Sequence, residues 1–514
     1  VPYVKEALEK GLLTEADIDK AIRGNIFVAL KLGLLDGDHS RNPYLSIGKD
    51  STQAPPFMTA EARRLAREVT AKSVVLLKNK NLLPLDAGKL RKIAVIGPYS
   101  DKIVQDWYSG TPPYETTILS GIRNAVKEGT EIIHAEDNRM GQAEKAAAAA
   151  DIAIVCVGNH PYGTRADWKF SPVPSDGREA VDRKSLMLPD EDLVKLVLKA
   201  NPNTILVLVS SFPYAINWSQ EHVPAIVHIT HCSQEQGNGL ADVLFGKVNP
   251  AGRTVQTWVK DITDLPDMMD YDIRNGRTYM YHQGPVLYPF GYGLSYSDFE
   301  YSDFCFDKEN YGLTDTVRIQ VNVKNKSAIE GKSTVQVYVR DLAGSVVMPM
   351  KQLKGFSKVT VPAYGSTLAE ISVPVSELGL YDMNMRYVVE PGDFDFMIGT
   401  SSDSICFKKT IHVGEVDAKA ERVSSAASKE TQTVRTGKKM IVKGVVRDVQ
   451  AKTLDGVKVS VKGRKGSVIT NGKGEYSIEA TSASVLVFSR KGYDMQEVEV
   501  NSQKTLNITL LNKI

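Results

Sequence analysis

Three uninterrupted apolar runs constrain this chain more than any other feature: residues 151–158 (DIAIVCVG), 204–210 (TILVLVS) and 225–230 (AIVHIT). Each is rich in β-branched residues, too short for an independent helix and apolar on both faces. Each therefore reads as a strand buried on both sides. Two further runs, 73–78 (SVVLLK) and 92–97 (KIAVIG), share the pattern. Stretches with helical periodicity lie at 61–71, 140–150, 190–200 and 235–245. Buried strands alternating with helices imply a largely parallel sheet covered on both faces, over about residues 59–258.

The period then changes. Val317, Ile319, Val321 and Val323 alternate with polar residues, as do Val335, Val337 and Val339. Strict period two with turn residues between the runs predicts an antiparallel sandwich ending near Val413. Residues 415–438 are rich in Ser, Thr, Ala, Lys and Glu and lack aromatic residues, so they read as a linker. In residues 440–511, Gly444, Asp455-Gly456, Asn471-Gly472 and Gly492 punctuate short alternating strands, the pattern of a second, smaller sandwich. At the other end the sequence opens at Val1, without the apolar core of a signal peptide. Thr14 and Asp17 form a capping pattern ahead of a helix to about Leu32, with Ile18, Ile22, Ile26, Val28, Leu30 and Leu32 as its apolar residues. One or two helices cannot bury a core of their own. This stretch is expected to pack against something larger that the sequence lacks.

Composition narrows the function classes. The 514 residues correspond to about three or four domains. With 63 basic against 61 acidic side chains, the net charge of +2 gives no electrostatic reason to expect nucleic acid. No apolar run reaches the roughly 18 residues of a membrane span. Cys156, Cys232, Cys305 and Cys406 lie too far apart for a metal cluster or a disulfide framework. Cys305 and Cys406 fall on the predicted first and last strands of the sandwich, adjacent or as buried free thiols. No residue pattern calls for a metal or a cofactor. His228 and His231, three apart on a strand, point to opposite faces and read as core histidines.

The natural place for chemistry is the crevice at the carboxyl ends of the parallel strands. The connection after residues 151–158 runs from Asn159 to Leu188, about thirty residues, where two to six are usual. It contains His160, Tyr162, Arg165, Asp167, Trp168, Phe170, Asp176, Arg178, Glu179, Asp182 and Arg183. Aromatic rings can stack on the apolar face of a pyranose, and the charged groups can bind its hydroxyls; a solvated surface loop has the same composition. Glycosidic cleavage needs two carboxyl groups, and Asp176, Glu179 and Asp182 are candidates. Arg178 and Arg183 complicate the choice, because a nearby cation lowers a carboxyl pKa that a general acid needs raised. Asp182-Arg183 reads as a loop latch. Composition alone does not select the acid.

Several segments carry a family resemblance. Residues 70–85 (TAKSVVLLKNKNLLPL), 93–98 (IAVIGP), 181–189 (VDRKSLMLP), 234–253 (QEQGNGLADVLFGKVNPAGR) and 288–299 (YPFGYGLSYSDF) resemble the C-terminal α/β domain of glycoside hydrolase family 3. Residues 349–356 (PMKQLKGF) and 390–402 resemble the fibronectin type III-like domain that follows it in that family. Residues 11–36 are similar to the helices that end the family's N-terminal barrel, and residues 440–511 resemble a carboxypeptidase regulatory-like β-sandwich. The expected fold is multidomain: an α/β sandwich with a largely parallel sheet, a fibronectin type III-like β-sandwich and a small C-terminal β-sandwich. The expected boundaries are 1–57 for barrel helices plus linker, 58–290 for the α/β domain, 291–414 for the fibronectin type III-like domain, 415–438 for the linker and 439–514 for the last module.

The resemblance implies retaining hydrolysis of terminal β-linked glucosyl or xylosyl residues, on an oligosaccharide or aryl glycoside, in a periplasmic or secreted bacterial protein. It also implies a missing partner. The family nucleophile is an aspartate in a Ser-Asp-Trp type motif on the barrel, and no such motif occurs here. The chain is therefore expected to be inactive alone, supplying the acid/base side. In the family that residue is a glutamate shortly before an Asp-Arg pair, a spacing Glu179 satisfies. The family's local Ser-Glu-Gly form is matched instead by Ser175-Asp176-Gly177, so Asp176 is the alternative and Glu179 the favoured acid/base. Trp107, Trp168 and Arg178 are expected to bind substrate. Tyr279, Tyr281 and Tyr288 are expected in interdomain packing, and Glu235 as a helix cap. The reading from a different class is a non-catalytic secreted protein that binds carbohydrate or a surface partner.

Overall fold

The computed structural model describes residues 2–40, 42–46, 49, 56–103, 112–159, 183–231, 233–414, 439–448, 452–462, 464, 466–481, 484–493, 495–500 and 504–510. The chain divides into two compact units, Val1–Glu415 and Val416–Ile514.

The first unit opens with helices α1 (Pro2–Glu9) and α2 (Glu15–Lys31). Thr14 caps α2 as the sequence predicts: its hydroxyl accepts from the Asp17 amide, and the Asp17 carboxylate accepts from the Thr14 amide at 2.9 Å. Neither helix buries a side chain, and Ile22, Ile26, Val28 and Leu30 are all exposed.

A six-stranded sheet follows, from β1 (Val75–Asn79), β2 (Lys92–Ile96), β3 (Glu131–Ala135), β4 (Ile152–Gly158), β5 (Thr204–Val209) and β6 (Ala225–Ile229). Its order is β1-β6-β5-β4-β2-β3. Five strands are parallel; β1 joins the edge of β6 antiparallel. Helices α3 (Ala60–Ser73), α4 (Ile118–Ala125) and α8 (Gln236–Leu244) cover one face. Helices α5 (Gln142–Ala148), α6 (Glu191–Ala200) and α7 (Asn217–His222) cover the other. Alternate residues of one strand feed the two cores: Ile154 and Cys156 enter the first, Val155 and Val157 the second. That two-sided burial is why β4 and β5 are apolar without interruption. Three elements of this layer lack so clear a signature and escape the sequence reading, the edge strand β3, the eight-residue α4 and the six-residue α7.

The helices on the first face approach closely because glycines meet at the crossing of α4 and α8. A Cβ on Gly121 would lie 2.1 Å from Gly237, and one on Gly237 would lie 1.8 Å from the Thr117 carbonyl. The Gly237 amide donates to the Thr116 carbonyl in the same place. Arg67 on α3 then ties down α8 through a bidentate pair with Asp242, at 2.5 and 2.6 Å.

After β7 (Trp258–Val259), α9 (Thr278–Tyr281) and β8 (Val286–Tyr288), the chain enters the sandwich. Its strands are β9 (Phe299–Phe306), β10 (Asn310–Tyr311), β11 (Thr316–Asn325), β12 (Gly331–Asp341), β13 (Gln352–Val361), β14 (Ser366–Pro374), β15 (Leu380–Tyr381), β16 (Tyr387–Val388), β17 (Gly392–Gly399) and β18 (Ile405–Val413). A β10-β18-β17-β12-β13 sheet packs on a β14-β11-β9 sheet. The Val317–Ile319–Val321–Val323 and Val335–Val337–Val339 faces point into its core, as their alternation predicts. Cys305 and Cys406 stand on the first and last strands as free, exposed thiols, which corrects the buried-thiol reading. Their neighbours Phe304 and Phe407 take the inward positions and stack at 4.5 Å, so the thiols point outward.

The sandwich is seated on the α/β domain through buried polar bonds. Gln336 Nε2 donates to the carbonyls of Gly291 and Thr400, at 3.0 and 2.6 Å, and its Oε1 accepts from the Tyr338 hydroxyl. Tyr279 stacks on Phe290 at 4.2 Å and meets Tyr338 edge-on, so it packs between the domains as expected. Tyr288 is buried between Trp258 and Tyr292.

The second unit has its own core, with Val442, Val459, Tyr476, Leu486 and Phe488 at its centre. It is built from a three-stranded and a four-stranded sheet. Gly456 and Gly492 turn the chain with positive φ, as the sequence suggests. Gly444 does not: it lies inside the strand Lys439–Asp448, where a Cβ would fall 1.7 Å from the Leu506 carbonyl. Residues 415–438, read as a linker, lie outside the described residues.

Candidate active site

The strand order reverses between β2 and β4: the chain moves outward from β2 to β3, then returns to the far side of β2 to lay down β4. In an open parallel sheet, ligands bind outside the carboxyl ends of the strands at such a reversal. Long connections leave both flanking strands, from Ile96 at the end of β2 to Ile118 of α4 and from Gly158 of β4 to Glu191 of α6. The first contains Trp107; the second contains Trp168, Asp176, Arg178 and Glu179. All five residues lie outside the described residues.

The frame that carries these connections is described. Gly158 ends β4 with φ 154°, and a Cβ there would strike the Val209 carbonyl at 1.8 Å. Only glycine lets β4 and β5 close up at that point. Asn159 follows, buried, with its amide donating to the Val209 carbonyl and its Oδ1 accepting from the Ser211 amide. His231, just past β6, places Nε2 2.8 Å from the Asn159 carbonyl. Asn159, Ser211 and His231 thus tie together the carboxyl ends of three adjacent strands.

The far end of the second connection is anchored by Arg183. Its guanidinium lies 3.8 Å from the centre of the Phe212 ring and 4.8 Å from that of Tyr214, and donates to the Pro213 carbonyl at 2.9 Å. Cation–π stacking and a carbonyl bond hold the residue just beyond Asp182 against the turn that follows β5. Arg183 therefore acts as an anchor, in the sense of the latch read from the sequence.

The two histidines separate. His228 is packed against Trp258, with Nε2 3.0 Å from the Ser210 carbonyl and 3.1 Å from Ser210 Oγ. Burial, with the nearby His231, pushes its pKa down to about 4, so it is neutral near pH 7. His231 is not a core histidine; it belongs to the carboxyl edge. Sequence reasoning missed it together with Asn159 and Ser211. All three stand one or two residues past an apolar run, and that position is the signal that could have found them. Glu235 stands at the N-cap of α8 as expected, but its side chain makes no cap bond and accepts from the Asn238 side chain at 2.6 Å. Among the described residues, no cluster of His, Cys, Asp and Glu is arranged to hold a metal ion.

A sheet of this order, two long connections at its reversal and the sandwich seated behind it can be set beside known proteins. Residues 74–296 match the glycosyl hydrolase family 3 C-terminal domain. The first unit carries a glycoside hydrolase family 3 C-terminal domain. Residues 333–402 match a fibronectin type III-like domain, and residues 442–513 a CarboxypepD_reg-like domain. Over 453 residues the chain is 30% identical to the periplasmic β-glucosidase of Salmonella typhimurium, covering 78% of this chain and 56% of that one. Over 425 residues it is 29% identical to a β-xylosidase of Formosa agariphila, covering 78% and 56%. The crystal structure of a family 3 β-glucosidase from Bifidobacterium adolescentis superposes with a TM-score of 0.65 at 25% identity, over 80% of this chain and 60% of that one. The chain spans a little over half the length of the curated relatives it matches. No helix among the described residues is long and apolar enough to cross a membrane.

Proposed function

We propose that this family 3 domain supplies the acid/base side of a retaining β-glycosidase site for terminal glucosyl or xylosyl residues. The observation that carries the reading is positional. The connection holding Asp176 and Glu179 leaves β4 at the reversal of strand order and returns at Arg183, fastened to the turn after β5. Glu179 is the favoured acid/base and Asp176 the alternative, with Trp107, Trp168 and Arg178 as substrate contacts. In the retaining mechanism one carboxylic acid protonates the departing glycosidic oxygen while a second carboxylate attacks the anomeric carbon. The first then takes a proton from the water that releases the sugar. We place the attacking carboxylate outside these residues, since no Ser-Asp-Trp motif occurs in the sequence. The name of the Salmonella relative supports a periplasmic or secreted location.

The test is hydrolysis of nitrophenyl β-glucoside and β-xyloside by the 514-residue chain and by the product of the longest reading frame that contains it. Turnover is expected only in the longer product. Turnover by the 514-residue chain would place both carboxylates within it and overturn the divided site. Saturable sugar binding with turnover in neither protein would favour the non-catalytic carbohydrate-binding reading.

A further inference from the structure

The second unit carries a groove that the proposed hydrolysis does not use. Along the strand Lys439–Asp448, Val442 and Val446 turn into the core, so Lys443 and Val445 face outward. The strand Glu475–Thr481 pairs with it antiparallel, with Ser477 opposite Lys443 and Glu475 opposite Val445. On the other side Thr505 bridges to Lys443, and Asn507 Oδ1 accepts from the Val445 amide at 2.9 Å. Thr505, Lys443 and Ser477 therefore form one row across the sheet, and Asn507, Val445 and Glu475 the next. Each row is about 10 Å across at the ordinary strand spacing.

Both rows line one groove of about 630 Å³, together with Val468 and Ile469 of the strand Ser467–Ile469. Ile469 is 67% exposed there, an apolar side chain open to solvent beside the polar rows. Tyr476 also lines the groove, but its hydroxyl is already spent, donating to the Leu506 carbonyl at 2.7 Å. The groove thus sets apolar groups beside two rows of polar ones.

The polar rows have bonding capacity to spare. Lys443 Nζ, Ser477 Oγ and Thr505 Oγ1 make no hydrogen bond or ion pair among the described residues. Asn507 gives only its Oδ1 to the backbone, which leaves both protons of Nδ2 for a ligand. Glu475 is held in place with one oxygen free: Asn471 Nδ2 donates to its Oε2 at 3.0 Å, and Asn471 Oδ1 accepts from the Glu475 amide. Donors and acceptors are therefore mixed. Lys443 and Glu475, the charged groups of the lining among the described residues, cancel. That balance suits a neutral ligand with many hydroxyls, each both donor and acceptor, and gives no advantage to an anion.

We propose that this face of the second unit binds a neutral β-linked polysaccharide. Lys443, Glu475, Ser477, Thr505 and Asn507 bond its hydroxyls, and Val468 and Ile469 pack on the apolar faces of its rings. The choice of polymer, glucan or xylan, rests on the hydrolysis proposed above; the site itself does not. Polar groups repeated at the strand spacing suit an extended chain lying across the sheet. The unit has its own core, so it can hold polymer without taking part in the chemistry.

The experiment uses the 514-residue chain, with soluble xylan and soluble β-glucan in affinity gel electrophoresis and their oligosaccharides in calorimetry. Retardation by at least one polymer and saturable oligosaccharide binding are expected. Lys443→Ala and Glu475→Gln should each weaken binding about tenfold, the effect of losing one charge-assisted hydrogen bond. Ser477→Arg, which fills the groove from an exposed position, should abolish it while keeping the parental circular dichroism. Trp168→Ala, in the connection after β4, should leave retardation unchanged. In whichever product hydrolyses a nitrophenyl glycoside, the three groove variants should keep the parental kcat. Groove-dependent binding without hydrolysis in any product would support this site and overturn only the hydrolysis reading. No retardation by either polymer, retardation undiminished in Ser477→Arg, retardation lost in Trp168→Ala, or a preference for polygalacturonate over the neutral polymers would overturn the proposal.

Discussion

Glu179 and Asp176 differ by one methylene, and that is enough to separate them by experiment. An acid/base residue acts on the departing oxygen and then on the attacking water, so its removal has a signature that a loop contact lacks. In whichever product hydrolyses a nitrophenyl glycoside, Glu179→Gln should lower kcat by about 10²–10⁴-fold and remove the basic limb of the pH–rate profile. Azide should restore turnover of a nitrophenyl glycoside, because a strong nucleophile needs no base. Asp176→Asn should change kcat by less than about tenfold if Arg178 and its neighbours merely position the loop. The reverse pattern would assign the acid to Asp176. His228 supports a separate prediction. Its pKa is lowered to about 4 from the usual 6.5, so the unfolded chain takes up a proton that the native state refuses. Stability is then constant above about pH 7 and falls as the pH drops from 6.5 toward 4, by roughly 3 kcal/mol at most. Denaturant melts at pH 7.5 and 4.5 should show a smaller difference for His228→Gln than for the parent.

Among the elements, the crossing of α4 and α8 has the least tolerance. With the Thr117 carbonyl 1.8 Å from where a Gly237 Cβ would stand, Gly237→Ala must push the helices apart. The expected cost is about 1–3 kcal/mol, read as a lower denaturation midpoint with unchanged slope. A parental midpoint would show that the helices separate freely. The same elements show what a sequence can and cannot disclose. Strands β4, β5 and β6 were legible because burial on two faces leaves no room for polar residues. The sandwich was legible because one buried face enforces a period of two. β3 and α4 were not, since Glu131–Ala135 sits at the sheet edge with little burial and Ile118–Ala125 is barely two turns. Nor does an apolar run encode direction, so the antiparallel placing of β1 beside β6 had no signal. In the site, the long connection after β4 was conspicuous by its length. His231 was not, because its role as a brace depends on Asn159, 72 positions away.

For the whole molecule, the count of cores and the count of cooperative units should differ. Three β-containing domains have separate cores, yet the seam between the first two is bonded as a protein interior is. Gln336 is 3% exposed and donates to the Gly291 carbonyl at that seam, while Tyr279 stacks there on Phe290. Separating the domains would leave those buried groups unsatisfied, at a cost of about 1–3 kcal/mol each. The second unit has its own apolar centre around Phe488 and Tyr476. Calorimetry of the intact chain should therefore show two transitions and not three. Phe396→Ala, in the sandwich core, should lower only the larger one, and it should carry the α/β domain with it. Phe488→Ala should lower only the smaller one, by about 3–5 kcal/mol of stability. In so small a module each kcal/mol moves the melting point by about 4–8 °C, so that transition should fall by more than ten degrees or vanish. A third transition, or a Phe396→Ala effect confined to part of the larger one, would mean that the polar seam does not couple the α/β domain to the sandwich.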